Sequence, residues 1–407
     1  MVVFFPSCSA MNKYTTIVLL LIFAISCQNK YSHTKQIPLK LDTSEKEKFS
    51  DIFSEINYLL LDMGDSEILA RPYHILFGAD RIIVEDRDLS NIHIFDLAGK
   101  RLSSIKSDYS GGPGTIKQSE YLQLMDDKVL IYDIPLSKTV VFDLEGNFLE
   151  EKKEPFFFDA FYHLKENRLL FNGIKDLKQG KVFINQKKNS SDDTTLLYRF
   201  PNDYYWMSVG TKDGFMADPS SDNVYFNIPY SYEIVEFDRK GDIYQSFEFD
   251  LGSKGLPHDK RFRLAENREL NRHLAENRMI NDIHSFFPMR NHFFMYLYQH
   301  DPNGKPTHHF LVFDRGMNLL YQCIDPKNDL DGMTLGGVPW TYHDDKVYII
   351  VNSTTFYNQY IQKFSGQNVE IKPGNVHEFF QKNQEKLKDD QTVLVSLELK
   401  ENIKSSN

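Results

Sequence analysis

Two short patterns recur along this chain at matching intervals, and periodicity of that kind restricts the fold to an array of similar supersecondary units. The first is an acidic or amide residue, usually followed by a basic or polar one, and then an alternating apolar strand. Its copies begin at Asp80-Arg81, Asp127-Lys128, Asn167-Arg168, Asp222-Asn223, Asn291-His292 and Asp345-Lys346. The second is Phe-Asp-x-x-Gly or a worn version of it, at Phe95 to Gly99, Phe142 to Gly146, Phe237 to Gly241, Phe313 to Gly316 and Phe364 to Gly366, with a degenerate copy near Phe183. In three repeats the step from the basic or polar residue to the Phe is 14 residues (Arg81 to Phe95, Lys128 to Phe142, Asn223 to Phe237).

One repeat read in full gives its content. Tyr121 to Met125 is an apolar strand that meets a tight turn at Asp126-Asp127; Val129 to Tyr132 and Thr139 to Phe142 follow, and Asp143 to Gly146 reverses the chain into Phe148 to Glu151. The Asp accepts from turn amides and the Gly supplies a positive φ. Six repeats of four strands predict an all-β, six-bladed β-propeller of four-stranded antiparallel blades, as one domain over 51–400 with a short tail at 401–407. A ring of blades leaves few open edges when strands from both chain ends complete one sheet. Ile56 to Leu61 and Thr392 to Leu399 (TVLVSLEL) are the segments expected to share that closing blade.

Phe237 to Phe313 spans 76 residues against 47 for Phe95 to Phe142, so one interval carries an insertion. The excess falls in Leu256 to Asn281, which is rich in Arg, Glu, Leu, Asn and Ala and reads as helix. Leu264 to Arg268 (LAENR) recurs as Leu274 to Arg278, an offset of nearly three helical turns that would place both copies on one face. A further helix is expected over Val376 to Leu387.

The N-terminus reads as a sorting signal spanning 1–26, with Met11 as the expected true start. Met11-Asn12-Lys13 is a short basic opening, and Ile17 to Ile25 is an apolar run too short to span a bilayer as a helix. Ala24-Ile25-Ser26-Cys27 follows and resembles the lipobox of bacterial lipoproteins, with Ala24 where Leu is commonest. That resemblance implies an acylated Cys27 as the first mature residue, a membrane surface as partner, and residues 27–50 as lipidated Cys and polar tether. No acidic residue stands directly after Cys27, so a periplasm-facing orientation is expected. With Cys8 removed and Cys27 acylated, Cys323 is left without a disulfide partner, as a small buried hydrophobe in the Leu319 to Ile324 strand. The formal charge of −10 disfavours nucleic acid as a partner.

Residues 50–400 resemble the six-bladed β-propeller lipoproteins of Gram-negative bacteria, related in form to NHL-type and TolB-like propellers. Three pieces carry the likeness: Ser50 to Leu61 (SDIFSEINYLLL), Ile92 to Gly99 (IHIFDLAG), and Gly111 to Gly114. The last is similar to a Gly-x-Gly-Pro-Gly-Glu-Tyr loop, here with its Glu-Tyr pair displaced to Glu120-Tyr121. The resemblance implies fold and location in the cell envelope; most members have no assigned activity.

Propeller ligands bind where loops converge on the axis. Candidate contacts on the connections leading into the innermost strands are Arg71, Tyr73, His74, Tyr109, Tyr205, Trp206, His284, Trp340, Tyr342 and His343. Their aromatic bias suits stacking on sugar rings or peptide side chains. Ile75, Leu122, Tyr162, Ala217, Phe286 and Trp340 occupy matching places in the six repeats and read as packing positions. No catalytic residue, cofactor or metal site is expected: His308 and His309 are adjacent on a strand and point to opposite faces. Asp301 to Gly304 lacks the later ligands of a calcium loop. The leading expectation is a non-enzymatic envelope module for a glycan, a peptide or an envelope protein; the alternative is an envelope hydrolase or lactonase-type enzyme with its site on the axis.

Overall fold

The computed structural model describes residues 34–41, 48–64, 67–155, 157–172, 183–189, 191, 193–200, 214–335 and 337–403. Two strands and a short helix precede the first complete sheet: β1 (Thr34–Pro38), α1 (Phe49–Ile52) and β2 (Phe53–Leu61). Blade one is β3 (Pro72–Phe77), β4 (Arg81–Asp86), β5 (Asn91–Asp96) and β6 (Arg101–Ile105); blade two is β7 (Ser119–Met125), β8 (Lys128–Asp133), β9 (Lys138–Asp143) and β10 (Phe148–Lys153). Blade three follows as β11 (Ala160–His163), β12 (Asn167–Asn172), β13 (Phe183–Lys188) and β14 (Thr194–Arg199), and blade four as β15 (Phe215–Ala217), β16 (Val224–Asn227), β17 (Glu233–Phe237) and β18 (Ile243–Asp250). Helices α2 (His258–Glu266) and α3 (Leu270–Glu276) then lead to blade five: β19 (Ile280–Pro288), β20 (His292–Gln299), β21 (Thr307–Asp314) and β22 (Leu319–Ile324). Blade six is β23 (Pro339–His343), β24 (Lys346–Asn352), then α4 (Ser353–Phe364) and α5 (Val376–Asn383), then β25 (Thr392–Leu399).

The first strand of each blade is innermost, and successive inner strands abut from β3 round to β23. Trp340 Nε1 donates to the Tyr73 carbonyl at 2.6 Å, bringing β23 back against β3 and completing the ring. The two chain ends share blade six as the repeat pattern requires: β2 pairs antiparallel with β25, from Phe53 opposite Leu399 to Leu61 opposite Thr392. Alternating strand direction puts the first-to-second and third-to-fourth turns on one side, the hairpin face. The chain passes from blade to blade on the other, the inlet face.

All six copies of the first sequence pattern are first-to-second hairpins. Asp126 and Asp127 adopt φ 48° and 56°, and Asp344 and Asp345 45° and 59°, the left-handed pair that such two-residue turns use. Four copies of the second pattern close third-to-fourth hairpins; in the first, Asp96 Oδ1 accepts from Ala98 N at 3.0 Å and Lys100 N at 2.8 Å. Gly99 has φ +82°, and a Cβ there would meet the Leu60 carbonyl oxygen at 2.1 Å. In blade five the left-handed place falls on Met317 (φ 60°) rather than Gly316. Two copies are coincidences. Phe364 to Gly366 is the end of α4, because blade six takes its fourth strand from the N-terminus and has no such hairpin; Phe183 opens a third strand instead of closing one.

The insertion is helical, as composition predicts, but it is two helices where the ten-residue offset suggested one. Arg268 and Arg278 take φ 59° and 52°, and Glu269 N and Met279 N bond back to the carbonyls of Leu264 and Leu274. Each LAENR copy is therefore a left-handed helix stop, not a shared helical face. Phe262 and Leu274 are buried, and Arg261 inserts its guanidinium 5.0 Å over the Tyr232 ring. The expected helix after blade-six strand β24 is α5 with a 3₁₀ turn at Lys386–Lys388; α4 was unforeseen.

Residues 28–50 read as an aperiodic tether, yet Thr34–Pro38 pair in parallel with β18, from Thr34 opposite Ser246 to Pro38 opposite Asp250. Ile37, Leu39 and Leu41 are buried with Phe247, Phe249 and Phe313, so blade four gains a fifth, fixed strand. Aromatic rings from neighbouring blades fill the clefts between them, as with Phe171 and Phe226 at 4.9 Å. Blades two and three are also joined by a buried ion pair, Arg168 to both oxygens of Glu154 at 2.8 Å. Cys323 is buried in β22. Among the described residues no helix is long and apolar enough to cross a membrane.

Candidate functional site

The first strand of each blade lies nearest the centre, so the walls of the axis are the six inner strands. They enclose a cavity of about 350 Å³. Tyr73, Phe77, Tyr162, Phe287, Trp340 and Tyr342 line it with aromatic rings, and all five inner-strand residues from Tyr73 to Phe77 contribute. Its solvent-exposed lining residues, Ala217, Pro219 and Asp344, all stand at the hairpin end of their strands. The cavity therefore opens on the hairpin face, opposite to the connections that sequence reasoning favoured.

Several polar groups of the wall bond across blades, while His74 Nε2 in the same wall is buried without a hydrogen-bond partner. Tyr342 Oη donates to the Ala217 carbonyl at 2.7 Å, from blade six to blade four, with its ring stacked 5.1 Å from Phe287. Tyr121 Oη accepts from Phe215 N at 3.2 Å, from blade two to blade four. Gln123 Oε1 accepts from His163 N at 2.8 Å. What the wall offers most of is ring faces. Phe77 stacks on His343 at 4.9 Å, and burial holds that imidazole below its ordinary value despite Asp344 beside it.

A buried titratable pair stands in the wall. A break in register between Pro72 and Ile75 turns His74 so that Nδ1 meets the buried Glu85 carboxylate at 2.6 Å. Glu85 also accepts from Ser119 Oγ and, at 3.4 Å, from Arg87. Burial pushes the Glu85 carboxyl up, but His74, Ser119 and Arg87 outweigh it and hold the group below its ordinary value. Ser119 bonds the carboxylate rather than the imidazole, so the trio lacks the nucleophile-to-base contact of a hydrolytic triad. No group of three His, Cys, Asp or Glu residues that could hold a metal ion occurs among the described residues.

Of the ten residues singled out from sequence, Tyr73, His74, Trp340, Tyr342 and His343 line the cavity. Arg71 instead pairs with Asp88 at 2.7 Å on the surface, Tyr109 is 74% exposed in the blade-one to blade-two loop, and His284 packs its ring 5.1 Å from Tyr296. Tyr205 and Trp206 lie outside the described residues, as does Cys27. The positions read as packing are the more informative set: Ile75, Leu122, Tyr162, Ala217 and Trp340 all line the axis. In blade five the lining residue is Phe287 rather than Phe286, because two register breaks in β19 shift which face each side chain takes. In the Gly111 to Gly114 loop, Gly114 N donates to Glu151 at 3.0 Å.

Comparison with known proteins bears on the fold. A model of the family DUF5128, described as a 6-bladed beta-propeller, matches residues 27–351. A presumed exported protein of Bacteroides fragilis superposes with a TM-score of 0.64 at 16% identity, over 90% of this chain and 99% of its own. A DUF4221 family member from Bacteroides vulgatus gives 0.50 at 10% identity, over 86% and 97%. At such identities the likeness is one of fold. No curated protein matches the sequence.

Proposed function

This chain belongs to the DUF5128 family of six-bladed β-propellers, and on that footing we propose that it is a non-enzymatic binding module of the cell envelope, held to a membrane by acylated Cys27. Its ligand is a glycan or peptide taken up at the axis. The observation that carries the reading is the axial cavity, open on one face, with eight aromatic rings in its wall and several of its polar groups bonded across blades. Such a wall binds by stacking and apolar contact. Sugar rings and aromatic or proline-rich peptide segments present the matching surfaces. The hydrolase reading has less support, because the His74–Glu85 pair has no nucleophile on its ring among the described bonds. The apolar run before Cys27 supports the envelope location, and the presumed export of the Bacteroides fragilis relative in fold is consistent with it.

A glycan and peptide array probed with the soluble form, starting after Cys27, tests the proposal. Expected is retention of one ligand class, unchanged in mass after incubation and unaffected by chelator. Cleavage of the retained probe, or loss of retention on chelation, would replace binding with catalysis.

A further inference from the structure

The register of β1 fixes where Thr34, seven residues after Cys27, stands on the propeller, and with it the way that body faces a membrane. We infer that the hairpin face, with the mouth of the axial cavity, is turned towards the lipid surface, so that the ligand is a glycan or peptide displayed on that membrane. The inference rests on the acylation of Cys27 proposed above.

Strand β18 runs from the hairpin face towards the inlet face, and β1 lies parallel to it. Thr34, the first residue of β1, therefore stands at the hairpin end, opposite Ser246 and three residues beyond the start of β18 at Ile243. A second contact agrees: Lys35 Nζ donates to the Gly316 carbonyl in the blade-five hairpin. The exit point is also rigid. Ile37, Leu39 and Leu41 are buried beyond it, and Leu39 N bonds to the Asp250 carbonyl at 2.8 Å.

Only residues 28–33 separate this point from Cys27. Six extended residues reach about 20 Å. To bring the inlet face to the membrane, the tether would have to double back along β18. The stretch from Ser246 to Asp250 alone would take about 13 Å at about 3.3 Å per residue. Helices α2 and α3, on the connection that leaves β18 at that end, would add roughly another helix diameter of about 10 Å. The reach is exhausted before lipid is met. With the hairpin face down, the tether runs on in the direction that β1 already takes. Ala217, Pro219 and Asp344, the exposed lining residues of the cavity, share that face.

The full chain, purified with its acylated N-terminus, is labelled with a fluorophore at a single introduced thiol, Lys240→Cys on the hairpin face or Arg272→Cys on α3. The native Cys323 is buried and does not compete. Vesicles of phosphatidylethanolamine and phosphatidylglycerol carry a nitroxide headgroup lipid. Quenching at 240 at least twofold stronger than at 272 is expected, and equal or reversed quenching overturns the orientation. Cys27→Ala run in parallel separates the two readings: if that variant binds the vesicles as well as the unaltered chain does, it is the acylation reading that falls.

Discussion

Glu154 shows how single residues hold neighbouring blades in register. It lies just beyond β10, is buried, and takes both guanidinium bonds of Arg168 from the next blade, with Thr139 Oγ1 donating to it at 2.8 Å. Burial pushes its carboxyl up, and Arg168 and Thr139 more than reverse that, holding it below the ordinary 4.5. A depressed folded value contributes stability that is complete above the ordinary carboxylate range and lost as pH falls through the folded value. Glu154→Gln leaves a buried guanidinium uncompensated and is expected to cost about 3 kcal/mol at neutral pH. Urea unfolding should show the gap to the unaltered protein narrowing as pH falls below the ordinary carboxylate range; a gap independent of pH would mean that the carboxylate charge is not its source. Arg268 makes a second prediction at this scale. At φ 59° its side chain is strained, so Arg268→Gly should raise stability by about 0.5–1 kcal/mol, whereas Arg272→Gly inside α3 should lower it by about 1 kcal/mol.

Among the elements, what the sequence discloses depends on whether local chemistry or distant packing decides the structure. The Asp and Gly of Phe-Asp-x-x-Gly act within five residues, so four hairpins could be read from the chain directly. Helix α4 could not: Ser-Thr-Thr-Phe-Tyr opens with β-branched and aromatic residues, and its start is set by Asn352 capping Thr354 N and Thr355 N. Its last residues then imitate a repeat, Phe364 to Gly366. β1 escaped notice because Lys-Gln-Ile-Pro alternates over too few residues, and its pairing partner lies more than 200 positions away. The axial wall was half legible for a related reason. Aromatic residues near the inner strands were visible, but which of them face the axis depends on the breaks in register in β3 and β19.

At the scale of the molecule, closure is the feature on which the rest depends. β25 is the third strand of blade six, bonded to β24 on one side and to β2 on the other, so it joins the two chain ends. Deleting 392–407 is expected to abolish cooperative unfolding and near-ultraviolet circular dichroism; a truncated chain that keeps both would mean the ring closes by another route. The ring in turn creates the axis, and the axis is where the inner strands have few polar groups to spare and many ring faces. The most direct measurement is calorimetric titration of the best array ligand against the soluble form and two variants, Tyr162→Ala in the axial wall and Tyr109→Ala on the exposed loop. Loss of about tenfold in affinity, about 1.4 kcal/mol, is predicted for Tyr162→Ala with Tyr109→Ala unchanged. The reverse result, with the axial variant binding normally and the loop variant failing, would contradict the axial site.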